Sequence, residues 1–402
     1  MKRRKIVLVA GVFPPGVGGM QNYYYNLSKH TKHEMTVIAP VYPDSDYAAF
    51  DKEQSYRTIR GSFMRGERAD VTSWGRLFRQ VRRTLRKEEP EVTVYGYVLI
   101  GFIGLLFKLF GGRRYIISVH GMDMLMFRRF IGLNQIVKLI LRQADGVLAN
   151  SEFTRRLVEE YGVQASRIGI VHPGVESLFR SKPADEALLR QHDLEGKYVL
   201  MSVGRLVTRK GHDRVIEAMP AIIRHIPNAV YVIVGDGPDR GRLEKLAETV
   251  GVAGRVRFVG GVSGSEKLND YYNVANQFIM VSRQLEKGDA EGFGIVYLEA
   301  ASARVPVIAG RSGGASEAVL DGVTGLLVEP ESLMEITDAV VRLASDTPLR
   351  ERLVREGYKR AKQQFQHDVL AGVFDQYAGR ICARPAVRYK RARKNAVERM
   401  RS

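Results

Sequence analysis

The chain has 402 residues, of which 45% are hydrophobic and 26% charged, and its formal net charge is +18. This composition is close to that of ordinary soluble proteins, and the length favours two domains, each long enough to bury its own core. The excess of Lys and Arg favours anionic partners (phosphates, nucleic acid or an acidic membrane surface) without choosing among them. The single cysteine, Cys382, excludes an intrachain disulfide and fits the reducing cytosol.

Two apolar segments could be mistaken for targeting or membrane segments. Residues 6–13 follow a basic stretch, as in a signal peptide, but the run is short and continues into Pro14 and a glycine cluster rather than a cleavage site. A buried first strand is the favoured interpretation. Residues 92–110 are broken by glycines and by Lys108, so a strand followed by a buried helix is favoured over a membrane span, which needs about 20 apolar residues.

Short β-branched runs alternate with longer amphipathic stretches along the whole chain. This alternation predicts an α/β fold in which parallel sheets carry helices on both faces. Helices are predicted, for example, at residues 215–225, 240–250 and 331–344. Strands are predicted at residues 5–10, 35–39, 92–97, 115–119, 146–149, 168–171, 198–203, 229–234, 255–259, 277–281, 305–309 and 325–328.

The strand and helix pattern starts twice, which predicts two Rossmann-like domains. The boundary is expected in the polar stretch at residues 181–196. We therefore assign the first domain to residues 1–183 and the second to residues 184–365. Residues 366–402 are expected to form a helix that returns to the first domain, followed by a basic tail.

Two features of the first half are candidates for ligand contact. The loop at residues 13–21 follows the first strand and precedes a helix, and Gly18 and Gly19 would let backbone N–H groups approach a phosphate. An ordinary strand-to-helix turn would carry the same glycines. His120 ends a later strand, where ligands of open α/β sheets bind, although a histidine that only packs or caps would also stand there.

The second half carries the stronger candidates, all in glycine-flanked loops. Arg205 and Lys210 stand between Gly204 and Gly211, after a strand, and would supply the cations that a departing diphosphate needs. Residues 291–299 place Glu291 and Glu299 across a glycine loop that opens a helix, so that the backbone N–H groups of Gly292, Phe293, Gly294 and Ile295 could bind phosphate or sugar hydroxyls. Solvated charges are the alternative interpretation, and Gly313 and Gly314 are expected to line the same crevice.

These motifs, in this order, resemble those of the retaining glycosyltransferases of family 4, over nearly the whole chain. The matching segments are Phe-Pro-Pro-x-x-Gly-Gly-x-Gln, His-Gly, Gly-Arg-Leu-Val-x-Arg-Lys-Gly, Glu-Gly-Phe-Gly-Ile-Val-Tyr-Leu-Glu-Ala and Gly-x-Ser-Gly-Gly-Ala. Within that family the chain most resembles bacterial phosphatidylinositol mannoside mannosyltransferases. The resemblance implies the GT-B fold, in which an acceptor-binding domain and a nucleotide-sugar-binding domain face each other across a deep cleft.

The resemblance also implies a role for each matching position. Arg205 and Lys210 would hold the donor diphosphate, Glu299 the ribose, and Glu291 the sugar through its 3- and 4-hydroxyls. Gly18 and Gly19 would approach the donor from the first domain, and His120 would lie at the reacting centre. Gln21 and Asp123 would lie on the acceptor side. The nucleobase would contact main-chain atoms around residues 257–260.

The implied reaction retains the anomeric configuration and needs no metal and no cofactor, because cations and backbone donors stabilise the leaving diphosphate. The expected substrates are GDP-mannose and a lipid-linked or cell-envelope glycan acceptor. A UDP-sugar of glucose, galactose or N-acetylglucosamine is the alternative donor, and a nucleotide-sugar epimerase is the alternative enzyme. A nucleic-acid-binding protein is disfavoured, because no recognised module appears.

The predicted helix at residues 74–87 suggests where the protein works. It carries six basic side chains, with Leu77, Phe78, Val81 and Leu85 on an apolar side. Such a helix suits an anionic membrane surface, although a core-packed helix with solvated arginines would show the same pattern. The expected location is therefore the cytoplasm, with peripheral contact to the inner face of the membrane.

Overall fold

The protein folds into two parallel β-sheets, one in each half of the chain. The computed structural model describes residues 2–16, 18–42, 45–63, 71–285 and 289–384, apart from the side chains of residues 71, 122, 123 and 129. The first sheet contains β1 (Lys5–Val9), β2 (Glu34–Pro40), β3 (Arg57–Gly61), β4 (Val92–Tyr95), β5 (Tyr115–Val119), β6 (Gly146–Ala149) and β7 (Ile168–Ile170). The second contains β8 (Tyr198–Val203), β9 (Ala229–Val234), β10 (Val256–Gly260), β11 (Gln277–Met280), β12 (Val307–Gly310) and β13 (Leu326–Val328).

Helices cover both faces of each sheet, as expected for apolar strands that are buried on both sides. They are α1 (Gly19–His30), α2 (Tyr47–Lys52), α3 (Val71–Glu88), α4 (Gly101–Gly111), α5 (Met122–Leu125), α6 (Ile131–Gln143), α7 (Glu152–Glu160), α8 (Glu186–Gln191), α9 (His212–His225), α10 (Arg240–Thr249), α11 (Ser265–Val274), α12 (Ile295–Ser302), α13 (Ala315–Ala318), α14 (Leu333–Ser345), α15 (Thr347–Gln364) and α16 (His367–Ala383). Short 3-10 helices lie at Met126–Arg129, Ala165–Arg167, Thr208–Lys210 and Ala253–Arg255.

The two apolar segments that mimic targeting or membrane segments belong to the first sheet. Ile6 to Val9 form most of β1 and are at most 1% exposed, because the sheet is covered on both faces. Residues 92–110 divide into β4 and α4, as predicted. None of the helices in the described part of the chain combines the length and apolar character that a membrane-spanning helix requires.

Strand β3 was not predicted from the sequence. Its residues, Arg57 to Gly61, include two arginines, pair only with β2 at the edge of the sheet, and are mostly half-buried. The charged Arg60 is accommodated because its guanidinium lies 2.6 Å from a carboxylate oxygen of Asp51. An edge strand with one solvated face lacks the continuous apolar run by which the other strands were recognised.

The strand order of each sheet determines where a ligand can bind. The first sheet runs β3-β2-β1-β4-β5-β6-β7 and the second β10-β9-β8-β11-β12-β13. The chain therefore reverses direction across the sheet between β1 and β4, and again between β8 and β11. In open α/β sheets a crevice forms at this switch point, outside the carboxyl ends of the strands. The predicted glycine loops after β1 and β8 begin at these crevices.

The two halves are joined by two chain crossings that lie side by side. The N–H of Val175 donates to the carbonyl of Phe365 over 2.8 Å, and Val175 forms an isolated bridge with Gln366. After this second crossing, α16 packs against α1 of the first half and contributes Phe374 and Tyr377 to its core. The basic tail beyond residue 384 lies outside the described residues.

Candidate active site

The loop after β8 brings Lys210 into the crevice of the second sheet. Its last turn is the 3-10 helix Thr208–Lys210, followed by Gly211 with φ +73° at the start of α9. A Cβ on Gly211 would collide with the carbonyl oxygen of Val281, in the loop after β11, so only glycine fits this turn. The close approach of the two loops leaves Lys210 only 9% exposed.

Lys210 and Glu291 meet inside this crevice. The Lys210 ammonium donates to Glu291 Oε2 over 2.5 Å, and the Arg209 guanidinium donates to the same oxygen over 3.0 Å. Burial alone would raise the pKa of Glu291, but the two cations outweigh it and lower that pKa to about 2. Glu291 is therefore ionised at neutral pH and can accept hydrogen bonds from hydroxyl groups.

Arg209 is a site residue that the sequence reasoning missed. It contacts Glu291 as above, and its Nε lies 3.2 Å from Asp289 Oδ1. The sequence pattern pointed to Arg205 and Lys210 as the cations of this glycine-flanked loop, and no sequence signal distinguished Arg209 from them. Arg205, by contrast, is exposed and forms no ion pair, with Glu291 or any other carboxylate, within the described part of the chain.

The loop before α12 turns its backbone toward the crevice while its large side chain points away. The Phe293 side chain is buried and stacks on His172, with ring centroids 4.9 Å apart, so that only its backbone can contact a donor. Gly294 has φ +90°, and α12 begins at Ile295 without a side-chain cap from Gly294 on its first N–H groups. Gly313 and Gly314 pack closely against this loop, because a Cβ on Gly313 would strike the carbonyl of Glu291 and a Cβ on Gly314 that of Gly292.

Glu299 lies on α12 and, like Glu291, is 9% exposed. Burial raises its pKa to about 7, although the hydroxyl of Tyr272, which donates to Oε2 over 2.7 Å, works in the opposite direction. The two glutamates of the motif therefore have opposite pKa shifts: the cations lower the pKa of Glu291, whereas burial raises that of Glu299.

The first domain presents neutral aromatic groups to the cleft. The Tyr24 hydroxyl donates to the carbonyl of Gly96 over 2.7 Å, so its oxygen accepts from His120 Nε2 over 2.7 Å. This arrangement selects the tautomer with Nε2 protonated and Nδ1 unprotonated. Burial lowers the pKa of His120 to about 4, so the ring is neutral at pH 7. Tyr23 packs edge-on against the same ring, with centroids 4.9 Å apart.

The two domains meet where His120 faces the loop before α12. A Cβ on Gly292 would lie 2.8 Å from the carbonyl oxygen of His120 and 3.2 Å from Asn150 Nδ2. Gly121, with φ +89°, lies on the other side of this contact. The absent side chain at residue 292 therefore sets how closely the faces approach, and it brings His120 near the segment that carries Glu291.

The remaining predicted site residues belong to the loop after β1 and to α5. Gly18 lies under Gln21, whose Oε1 would be 2.6 Å from a Cβ on Gly18, whereas the position of a Cβ on Gly19 is open. The two glycines and Gln21 thus form one corner of the first domain at its switch point. The side chain of Asp123, at the start of α5, lies outside the described residues.

No three His, Cys, Asp or Glu side chains are clustered so as to hold a metal ion in the described ranges. The sequence contains one Asp-x-Asp triplet, at residues 44–46, whose paired carboxylates are a candidate for binding a metal ion. Its Asp46 carboxylate accepts from the N–H of Ala49 over 3.0 Å and so caps α2, away from the crevice of the second sheet. Residue 44 is not among those described.

Comparisons with known proteins match both halves of the chain. Residues 17–177 match Glycosyltransferase Family 4 and residues 185–360 match Glycosyl transferases group 1. A GDP-mannose-dependent alpha-(1-6)-phosphatidylinositol monomannoside mannosyltransferase of Mycobacterium tuberculosis is 34% identical over 91% of this chain and 96% of its own. The chain is a family 4 glycosyltransferase. The enzyme class and the family resemblance inferred from the motifs are confirmed.

One further relative and two solved structures of other proteins are also similar to this glycosyltransferase. A GDP-mannose-dependent monoacylated alpha-(1-6)-phosphatidylinositol monomannoside mannosyltransferase of Corynebacterium glutamicum is 28% identical over 91% of this chain and 96% of its own. Sucrose-phosphate synthase from Thermosynechococcus elongatus superposes with a TM-score of 0.78 at 22% identity, covering 94% of this chain and 99% of that one. Anabaena HepE, solved with UDP and glucose, gives 0.76 at 19% identity, covering 94% and 100%. The predicted GT-B fold is confirmed.

Proposed function

We propose that this glycosyltransferase transfers mannose from GDP-mannose to a lipid-linked acceptor of the phosphatidylinositol mannoside type, with retention and without a metal. One observation carries the assignment of the site: Lys210 and Arg209 bind Glu291, whose neighbour Gly292 approaches His120 across the cleft. The choice of mannose and of a lipid acceptor is supported by the names of the relatives that match almost the whole chain.

The cationic cluster suits a leaving diphosphate. Without a donor, Lys210 and Arg209 share the negative charge of Glu291. In the proposed complex, phosphate oxygens take over part of these contacts, and the N–H groups at the start of α12 supply further donors. As the bond from the sugar to the diphosphate breaks, negative charge grows on the leaving oxygen. Preorganised cations stabilise this charge more in the transition state than in the bound substrate.

Glu291 and Glu299 then bind hydroxyl groups of the donor. Ionised Glu291 accepts from hydroxyls of the sugar, because its depressed pKa keeps it acceptor-only at neutral pH. Glu299 accepts from the ribose after losing its proton. On the opposite wall, neutral His120 offers hydrogen bonds without adding positive charge beside a sugar that becomes cationic in the transition state.

The acceptor hydroxyl attacks from the face that the diphosphate leaves, so that configuration is retained. Its proton passes to the departing β-phosphate, the nearest base in this arrangement, and the cleft excludes the water that would hydrolyse the donor. The atoms balance, since the acceptor oxygen forms the new glycosidic bond and protonated GDP leaves.

The test of the donor is a panel of GDP-mannose, UDP-glucose, UDP-galactose, UDP-N-acetylglucosamine and ADP-glucose, with thermal unfolding as the first measurement. We expect GDP-mannose to raise the unfolding temperature most and to be consumed only when phosphatidylinositol monomannoside is added. Proton NMR of the product should give an α-mannoside, and EDTA should leave the rate unchanged. A larger shift with a UDP-sugar would contradict the donor, and conversion of a donor without any acceptor would indicate an epimerase.

We also propose that the first domain contacts an anionic membrane surface through α3. Leu77, Val81 and Leu85 are buried, and Phe78 is half-buried, so most of the predicted apolar side of this helix packs against the core. Its outer face carries six exposed basic side chains: Arg76, Arg79, Arg82, Arg83, Arg86 and Lys87. The proposed contact is therefore electrostatic along α3 itself.

Apolar contact would come from the neighbouring helices. Phe110 at the end of α4 is 86% exposed, and Ile131 at the start of α6 is 83% exposed. A cavity of about 420 Å³ between α3 and α4 is lined by both classes of side chain, including Phe110, Arg82 and Arg86. Exposed apolar groups beside a row of cations are the combination that binds a negatively charged bilayer.

Sedimentation with vesicles tests the membrane contact. We expect the protein to pellet with vesicles rich in phosphatidylinositol, to stay in the supernatant with phosphatidylcholine alone, and to be released by salt. Arg82→Glu with Arg86→Glu should abolish pelleting. The matched control, Arg224→Glu with Lys245→Glu on the exposed surface of the second domain, should pellet like the wild type. Equal loss in both double variants would show that net charge, not α3, is responsible.

A further inference from the structure

We propose that Glu317 is a positioning residue, which fixes the spacing of the two domains by capping a helix of the first domain with a carboxylate of the second. One Glu317 oxygen accepts from the N–H of Glu152 over 2.5 Å, and the other accepts from the N–H of Phe153 over 2.7 Å. Glu317 lies on α13, whereas Glu152 and Phe153 open α7.

The first turn of α7 has backbone N–H groups that can donate hydrogen bonds to a carboxylate. A helix leaves its first N–H groups without partners inside the helix, and its dipole favours negative charge at this end. Ser151 caps α7 by accepting from the N–H of Thr154, which leaves the two preceding N–H groups for another acceptor. Glu317 supplies one oxygen to each of them, so its contact with the first domain consists of two charge-assisted hydrogen bonds.

On the side of the second domain, the carboxylate is tied to the loop before α12. The N–H of Gly314 donates to the carbonyl of Glu291 over 2.8 Å, and Gly314 packs directly against the carbonyl of Gly292. The guanidinium of Arg360 donates to the main-chain carbonyls of Glu317 and Ala318, over 2.7 Å each, which holds α13 in place. A displacement of Glu317 therefore displaces the segment that carries Glu291.

On the side of the first domain, the same stretch of chain meets this loop a second time. Asn150, directly before the cap of α7, places its Nδ2 3.2 Å from the position of a Cβ on Gly292. It follows β6, which pairs with β5, and β5 leads to His120. Glu317 and Gly292 thus contact the first domain at two places, both next to the paired strands β5 and β6. Together these contacts set the distance from His120 to Glu291.

The consequence for the reaction rests on the donor site proposed above. If the contacts of Glu317 favour the arrangement that binds the donor, losing them lowers the fraction of enzyme in that arrangement. The apparent affinity for the donor falls by the same factor, whereas a saturating donor restores the arrangement and the turnover. A residue needed only for folding would instead reduce kcat through a smaller amount of active enzyme and leave KM unchanged.

The experiment compares variants on both sides of the contact. Glu317→Ala removes the acceptor, and Glu152→Pro removes one of its two donors, since proline is well tolerated in the first turn of a helix and Ser151 already has an extended backbone. Glu152→Ala is the matched control, because it loses the same side chain, and its ion pair with Arg155, but keeps the N–H. Glu335→Gln is a second control, because its carboxylate caps the N–H of Glu329 within one domain.

We expect Glu317→Ala to raise the KM for the donor about 30-fold and Glu152→Pro to raise it about 10-fold, with kcat within about twofold of the wild type. The combined variant should be no worse than Glu317→Ala alone, since both remove the same contact. Both controls should have the wild-type KM. Small-angle scattering without a donor should give a larger radius of gyration for the two test variants only.

Each outcome bears on the proposal separately from the identity of the donor, because scattering needs no substrate. An unchanged radius of gyration, or equal KM values for Glu152→Pro and Glu152→Ala, would overturn the role of Glu317 even if GDP-mannose is the donor. A changed radius with turnover of a different nucleotide-sugar would overturn the donor and keep Glu317. If Glu317→Ala does not fold, the comparison of the two Glu152 variants still decides.

Discussion

The two walls of the cleft differ in charge. The wall from the second domain holds charged groups: buried Lys210 and half-buried Arg209 each lie within 3.0 Å of the buried Glu291 carboxylate. Buried Glu299 lies further along α12. The wall from the first domain holds a neutral His120 between Tyr23 and Tyr24. In the proposed mechanism this difference becomes a division of labour: the second domain stabilises the charge of the leaving group, and the first provides shape and neutral hydrogen bonds beside the sugar.

Removal of Lys210 should have the largest effect. We expect Lys210→Ala to lower kcat/KM about 10³-fold, because a buried cation that faces the leaving group is lost. Steady-state kinetics and thermal unfolding are the measurements. The exposed Lys245→Ala on α10 is the matched control and should behave like the wild type. Near-normal kinetics in Lys210→Ala would contradict the proposal that the charges of the second domain stabilise the leaving group.

The contact between the walls should be the next most sensitive feature. Gly292→Ala places a methyl group 2.8 Å from the carbonyl of His120, so the walls must separate. We expect about a 100-fold loss of kcat/KM with little change in the unfolding temperature, because a misplacement of about 1 Å is enough for such a loss. Gly241→Ala, where a Cβ has open space, is the control. Equal kinetics for the two variants would mean that the close contact between residue 292 and His120 is not required for activity.

Donor affinity should depend on pH through Glu299. Because burial raises the pKa of Glu299 to about 7, its carboxylate form, which is proposed to accept from the ribose, becomes predominant only as the pH rises through 7. We expect the Kd for the nucleotide-sugar to fall about tenfold from roughly pH 6 to pH 8, measured by calorimetry. Glu299→Gln should bind more weakly at every pH, with a flat profile. The same slope in the glutamine variant would assign the titration to another group.

The neutral wall should show the smallest effect. Tyr24→Phe removes the oxygen that accepts from His120 Nε2, which frees the ring to adopt another tautomer. We expect about a fivefold loss of kcat, the usual effect of one neutral hydrogen bond. Tyr25→Phe, whose hydroxyl lies at the surface near Lys29, should be silent. A loss as large as that of Lys210→Ala would mean that the first domain also stabilises charge in the transition state.

The sequence predicted most of the fold because its signals were local. Apolar runs identified the central strands, and all the strands of the second sheet were found, with ends that differ by a few residues at most. The edge strand β3 was missed because one of its faces is solvated. Arg209 was missed for a different reason: Arg209 and Lys210 are adjacent cations, and only the observed turn at Gly211 shows that both reach Glu291.

By itself, the sequence determined the fold class, the enzyme family and the segments that build the site, since these depend on local apolar periodicity and on motifs of fixed spacing. Only the tertiary structure decided how the segments meet. Strand order, which no local pattern encodes, placed the loops after β1 and β8 at the two switch points. Contacts between distant residues then gave Glu291 and Glu299 opposite pKa shifts, buried Phe293, and paired Glu317 with α7, because burial and charge depend on neighbours that folding brings together.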